Sequence, residues 1–167
     1  MLLSQKVPNL TNICGVAIDL SAYPVPSYSG NNQNFYDSYL ATSNSQSVYY
    51  GKQSVRFKEV KKDDRAGDYW EISMSLQFPS TDKERALRLE EFRKARFVIL
   101  QLSNNLSMIL GRNDYFQNAR PKIKIESDEQ LTAVQFTWRS IVQTGFLPDY
   151  NEALLPHSVP VNLLNAN

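Results

Sequence analysis

Strict alternation of apolar and polar side chains constrains this chain more than any other feature. In Tyr69–Phe78, Trp70, Ile72, Met74, Leu76 and Phe78 share one parity, and Glu71, Ser73, Ser75 and Gln77 take the other. A period of two sends successive side chains to opposite faces, so this segment reads as a strand with one buried face. Leu131–Trp138 repeats the pattern through Thr132, Val134, Phe136 and Trp138. Cys14, Val16, Ile18 and Leu20 do the same near the N-terminus, which makes Cys14 a small buried hydrophobe rather than a nucleophile. Val55 and Phe57 predict a strand within Gln53–Val60, and Ile123 and Ile125 predict another after Pro121.

Phe97-Val98-Ile99-Leu100-Gln101-Leu102 is apolar on both parities, as expected of a strand covered on both faces. It runs through Ser103-Asn104-Asn105 into a second apolar run, Leu106–Leu110. Asn tolerates positive φ, so the pair of Asn residues predicts a tight hairpin.

One helix is predicted, at about 81–96. Pro79 stops the preceding strand, and Thr81 with Glu84 has the spacing of a capping box. Ala86, Leu89 and Phe92 mark a buried stripe, while Glu84–Arg88 and Glu90–Lys94 are spaced for ion pairs. The short links on either side place this helix across the sheet, over one face of Phe97–Leu102. The fold class that follows is mainly β with one α-helix: an antiparallel β-sandwich or small barrel flanked by that helix.

Charge divides the chain into regions. All 18 basic residues except Lys6 lie between Lys52 and Arg139, as do all 17 acidic residues except Asp19, Asp37, Asp149 and Glu152. A length of 167 residues fits one domain with arms. The reading is an N-terminal strand region over 1–20, a Tyr/Asn-rich arm or long loop over 21–50, a β-core with one helix over 51–146, and a C-terminal arm over 147–167. The first arm, with Tyr23, Tyr28, Tyr36 and Tyr39, is too long for an ordinary connection. The second places Leu154, Leu155, Leu163 and Leu164 among Pro148, Pro156 and Pro160. Uncharged ends rich in Tyr, Pro and Leu favour contact with a surface over free solvation.

Several function classes drop out. A net charge of +1 excludes a polybasic protein that coats DNA. One Cys and one His cannot supply a zinc site or an internal disulfide, and this usage fits a reducing compartment. No stretch approaches the ~18 apolar residues of a membrane span, and Met1-Leu2-Leu3-Ser4-Gln5-Lys6 lacks a secretory hydrophobic stretch. His157 lies in a Pro-punctuated tail, a poor platform for a catalytic base. Asp63, Asp64 and Asp68 have Lys61, Lys62 and Arg65 among them, so a solvated turn outweighs a cation site. Glu90 and Glu91 diverge on the helix and cannot face one substrate. The expectation is no enzyme, with no catalytic, cofactor-binding or metal-binding residues.

The loop Gly111–Arg120 is the most distinctive. Arg112 and Arg120 with Tyr115 and Phe116 have the chemistry to stack a base or clamp a carboxylate. The favoured reading is a loop whose aromatics close the end of the β-core. The basic excess of the helix reads as a solvated face, with the lining of a nucleic-acid channel as the alternative.

Tyr69–Phe78, Phe97–Leu102, Met108-Ile109-Leu110-Gly111-Arg112-Asn113 and Thr144-Gly145-Phe146 together form a pattern. An alternating strand is followed by a short helix, a hairpin ending in Leu-Gly, an aromatic loop, a second hairpin and a Thr-Gly-Phe end. Over roughly residues 50–146 this resembles small structural proteins of tailed bacteriophages and phage-like elements, especially those of Bacteroidetes hosts. Tail tube, distal-tail and tail-terminator proteins share such a plan. The resemblance implies a non-enzymatic virion component, assembled in the host bacterial cytoplasm into a homo-oligomeric ring beside other virion proteins. It also implies a lumen that passes DNA without sequence-specific binding. Contacts between copies are expected at Tyr23, Tyr28, Tyr36, Tyr39, Tyr115, Phe116, Leu154, Leu155, Leu163 and Leu164. The alternative is a monomeric β-sandwich binding module for carbohydrate, using the Tyr/Asn segment and the Arg112–Arg120 loop.

Overall fold

The computed structural model describes residues 12–20 and 45–146. Nine strands and one α-helix follow in chain order among these residues: β1 (Ile13–Asp19), β2 (Ser45–Ser47), β3 (Arg56–Asp64), β4 (Gly67–Pro79), α1 (Arg85–Lys94), β5 (Phe97–Leu102), β6 (Ser107–Leu110), β7 (Lys122–Ser127), β8 (Leu131–Ser140) and β9 (Gly145–Phe146). They form two antiparallel sheets. The first has the order β2-β1-β5-β6-β9 and the second β3-β4-β8-β7.

The two sheets share one core. Val16, Ile18, Val98, Leu100 and Leu110 from the first sheet join one buried cluster with Ile72, Met74, Leu76, Phe78, Val134, Phe136 and Trp138 from the second. The alternation in β4 and β8 therefore does what its period requires. Each fully buried side chain of this kind stabilises the fold by roughly 2 kcal/mol relative to exposure. Ile123 and Ile125 of β7 pack against the same cluster. The double-sided apolar run of β5 is buried on both parities: Val98 and Leu100 face the shared core, and Phe97 and Ile99 are buried on the other side beside Ala17 and Ile109.

Local chemistry fixes the connections. The β5–β6 hairpin puts Asn105 at φ 66°, and the Asn104 side-chain oxygen accepts a bond from the Leu106 amide. The β3–β4 hairpin turns through Arg65 and Ala66 into Gly67, whose φ of 116° suits glycine alone. At Gly111 the aromatic ring of Phe97 lies so close that an added Cβ would meet it at 1.9 Å.

Two expectations are corrected. Cys14 is exposed, not buried. The pairing of β1 with β5 skips from Ile13↔Leu102 to Gly15↔Gln101, a bulge that turns Cys14 outward and lets Ile13 pack on the core. The capping box does not form either. The helix begins at Arg85 with no side-chain cap on Glu84, and Asp82 instead accepts bonds from the Glu84 amide and the Arg88 guanidinium. The helix is also shorter than the predicted span, and Ala86 is exposed. α1 joins the core shared with β5, where Phe92 belongs to the same buried cluster as Val98 and Leu100. Its Phe92 enters the shared core between the rings of Phe78 and Phe136 in the second sheet, each 6.1 Å away. Arg85 reaches Ser127 at the end of β7 with a 2.6 Å bond. Both ion pairs expected along the helix, Arg88–Glu84 and Lys94–Glu90, are present.

Candidate functional site

Strand register decides which polar side chains share a surface. The inward parity of the second sheet is filled by the core, so its outward parity is left to water. Register aligns Lys58, Ser73, Thr137 and Lys122 in one row across β3, β4, β8 and β7. The next row is Arg56, Ser75, Gln135 and Lys124. Each row has a cation at either edge and small neutral polar groups between. Lys62 and Arg139 add to the same face, against Asp64, Glu71 and Glu126. Six cations thus face three carboxylates, on a chain whose net charge is only +1.

At one end of this face the loop after β6 folds over β4 and β8. A short 3-10 turn, Asp114–Phe116, carries it. Asp114 Oδ2 accepts bonds from Arg112 Nε at 2.7 Å, Ser140 Oγ at 3.1 Å and the Ile141 amide at 3.2 Å. The Arg112 and Asp114 side chains are almost wholly buried. Asn113 Oδ1 accepts from the Arg139 amide, while its Nδ2 donates to the carbonyl oxygens of Ala119 and Arg120. The loop is therefore held by its own polar side chains.

That anchoring sets the two aromatics. Tyr115 packs its ring on Tyr69 with centroids 4.8 Å apart. Phe116 is half exposed, and the Arg139 guanidinium lies against both the Tyr69 and Phe116 rings, 5.3 and 5.8 Å from their centroids. Phe116, Arg139 and Glu71 form one end of a groove of about 480 Å3, with Thr137, Gln135, Lys122 and Lys124 completing it. The Glu71 carboxyl is held below its ordinary range, first by the bond from Lys62 and further by the charges of Lys62 and Arg139. Lys62 Nζ stands 2.7 Å from Glu71 Oε1.

Arg112 and Arg120 do not converge. Arg112 is buried against Asp114, while Arg120 is exposed beside Ala86, Leu89 and Arg93 of the helix. Tyr115 and Phe116 do not close the end of the β-core: neither joins the buried cluster, and both lie on the outward face of the second sheet, Tyr115 against Tyr69 and Phe116 half exposed. The hairpin acids are occupied by their neighbours: Lys61 Nζ pairs with Asp68 at 2.6 Å. Tyr23, Tyr28, Tyr36, Tyr39, Leu154, Leu155, Leu163, Leu164 and His157 lie outside the described residues. The cationic rows were missed in the sequence, because their members come from four strands and meet only through their register.

The first sheet has the opposite character. Its strands hold a single charged residue, the fully buried Asp19. Its edge strands are short, three residues in β2 and two in β9. The second sheet has longer and charged edges, with Arg56, Lys58, Lys61, Lys62, Asp63 and Asp64 in β3. Such charges discourage edge-to-edge pairing. Among the described residues no helix is long and apolar enough to cross a membrane. Comparison with protein-family models, curated proteins and solved structures finds no match to this chain.

Proposed function

We propose that the chain is a non-enzymatic building block that assembles with copies of itself, as the tail and tail-junction proteins of tailed bacteriophages do. The observation that carries this reading is the unequal charging of the two sheets. The second sheet guards its edges with Lys, Arg and Asp, whereas β2 and β9 at the edges of the first carry none. The exposed apolar side chains Leu106, Ile141 and Phe146 all lie close to the β6–β9 edge in sequence. A ring or stack held by uncharged edges and arms would leave the charged sheet facing water or a lumen.

The test is the mass of the full chain, by native mass spectrometry or light scattering across concentration. A discrete multimer is expected. Gln46→Lys in β2 or Phe146→Lys in β9 should disperse it while the melting temperature of the core holds. A chain that stays monomeric at every concentration sinks the reading. Deleting residues 147–167 should likewise weaken assembly more than folding.

A further inference from the structure

We propose that the outward face of the second sheet binds single-stranded nucleic acid, without sequence preference, along the two cationic rows. Three observations converge. The rows Lys58-Ser73-Thr137-Lys122 and Arg56-Ser75-Gln135-Lys124 follow one plan, a cation on each flank of a hydroxyl or amide floor. Neighbouring cations of β7 are two residues apart, so they repeat at about 6.6 Å along the strand. A flat floor with cations at regular intervals suits a chain of phosphates, which need charge at each step, and sugars and bases, which need hydrogen bonds between.

The second observation is the ring at the end of the groove. Phe116 is half exposed on a loop anchored by buried bonds, and Arg139 backs it. A rigid aromatic beside phosphate-binding cations is the platform on which an unpaired base stacks. A duplex keeps its bases stacked within itself and gains nothing from that ring. The third is the concentration of charge. A surplus of three cations on this one face, in a chain of net charge +1, leaves the remainder acidic in sum, so the face offers a polyanion concentrated positive charge. The face belongs to the sheet opposite the uncharged edges, so it acts whether or not copies assemble.

The test is fluorescence anisotropy of a labelled oligothymidylate of about twenty nucleotides, long enough to cover one such site, with the full chain. If the four cations of the two rows each displace a counterion, log K falls against log salt with a slope of about −3. The pair Lys122→Ala and Lys124→Ala should remove about half of that slope. Lys58→Ala on the opposite flank should weaken binding in the same direction. Phe116→Ala should weaken binding about tenfold and leave the slope unchanged, and Phe116→Trp should restore it. Each variant is compared at matched melting temperature, so that loss of binding is not loss of fold. No binding at about 50 mM salt overturns the proposal. So does binding that ignores all these substitutions. So does a polyuronate or a duplex that competes as well as the oligonucleotide while remaining indifferent to Phe116.

Discussion

Asp114 is a buried carboxylate with three donors, and they come from the loop, β8 and the residue after it. Replacing it with Ala takes the carboxylate from the buried Arg112 guanidinium and unpins the turn from β8. We expect a loss of about 3 kcal/mol, read as a fall in urea midpoint. Tyr115, the next residue in the same turn, behaves differently. Its hydroxyl is buried without an acceptor. Tyr115→Phe should therefore leave stability unchanged or raise it by up to ~1 kcal/mol. The contrast separates the parts of the loop that hold the fold from the ring that fills space on Tyr69. None of this shows in the sequence, where Tyr115 reads as an aromatic closing the end of the β-core and Arg112 as a group to stack a base or clamp a carboxylate.

Among the elements, the long strands were the legible part. β4 and β8 declare themselves because one side chain in two is apolar, and β5 because both parities are. What escaped depended on partners. The bulge at Cys14 is a mismatch in count between β1 and β5, and no single strand carries it. The helix start escaped for a related reason, since Thr81 has the capping-box spacing and only the path after Pro79 brings Asp82 to the Glu84 amide instead. The cationic face needed the register of four strands. Asp82 also gives the helix entry an acid dependence. The bond from Arg88, helped by the Glu84 amide, holds its carboxyl below the ordinary 3.8. The folded state binds that proton less readily than the unfolded one. The stabilisation is therefore present above the ordinary value and is lost as pH falls through the lowered one. Circular dichroism or hydrogen exchange at the first turn of α1 should show early fraying in acid. Asp82→Asn keeps an acceptor oxygen but removes the charge, so it should weaken the link to Arg88 at neutral pH and flatten this dependence.

At the scale of the whole molecule, each sheet sets its own terms with the surroundings. The first is buried on both faces along β5 and the second half of β1, and its edge strands are uncharged. The second turns one face to the core and the other, studded with cations, to water. This division makes the molecule electrically lopsided. Its pI of about 7.8 says nothing of that, because a pI counts charges and ignores where they sit. On sulfonated resin in a buffer slightly alkaline of that pI, a uniformly charged particle would wash through. This one should stay bound, lying on its basic side with the other sheet turned away from the bead, and release only as ionic strength rises.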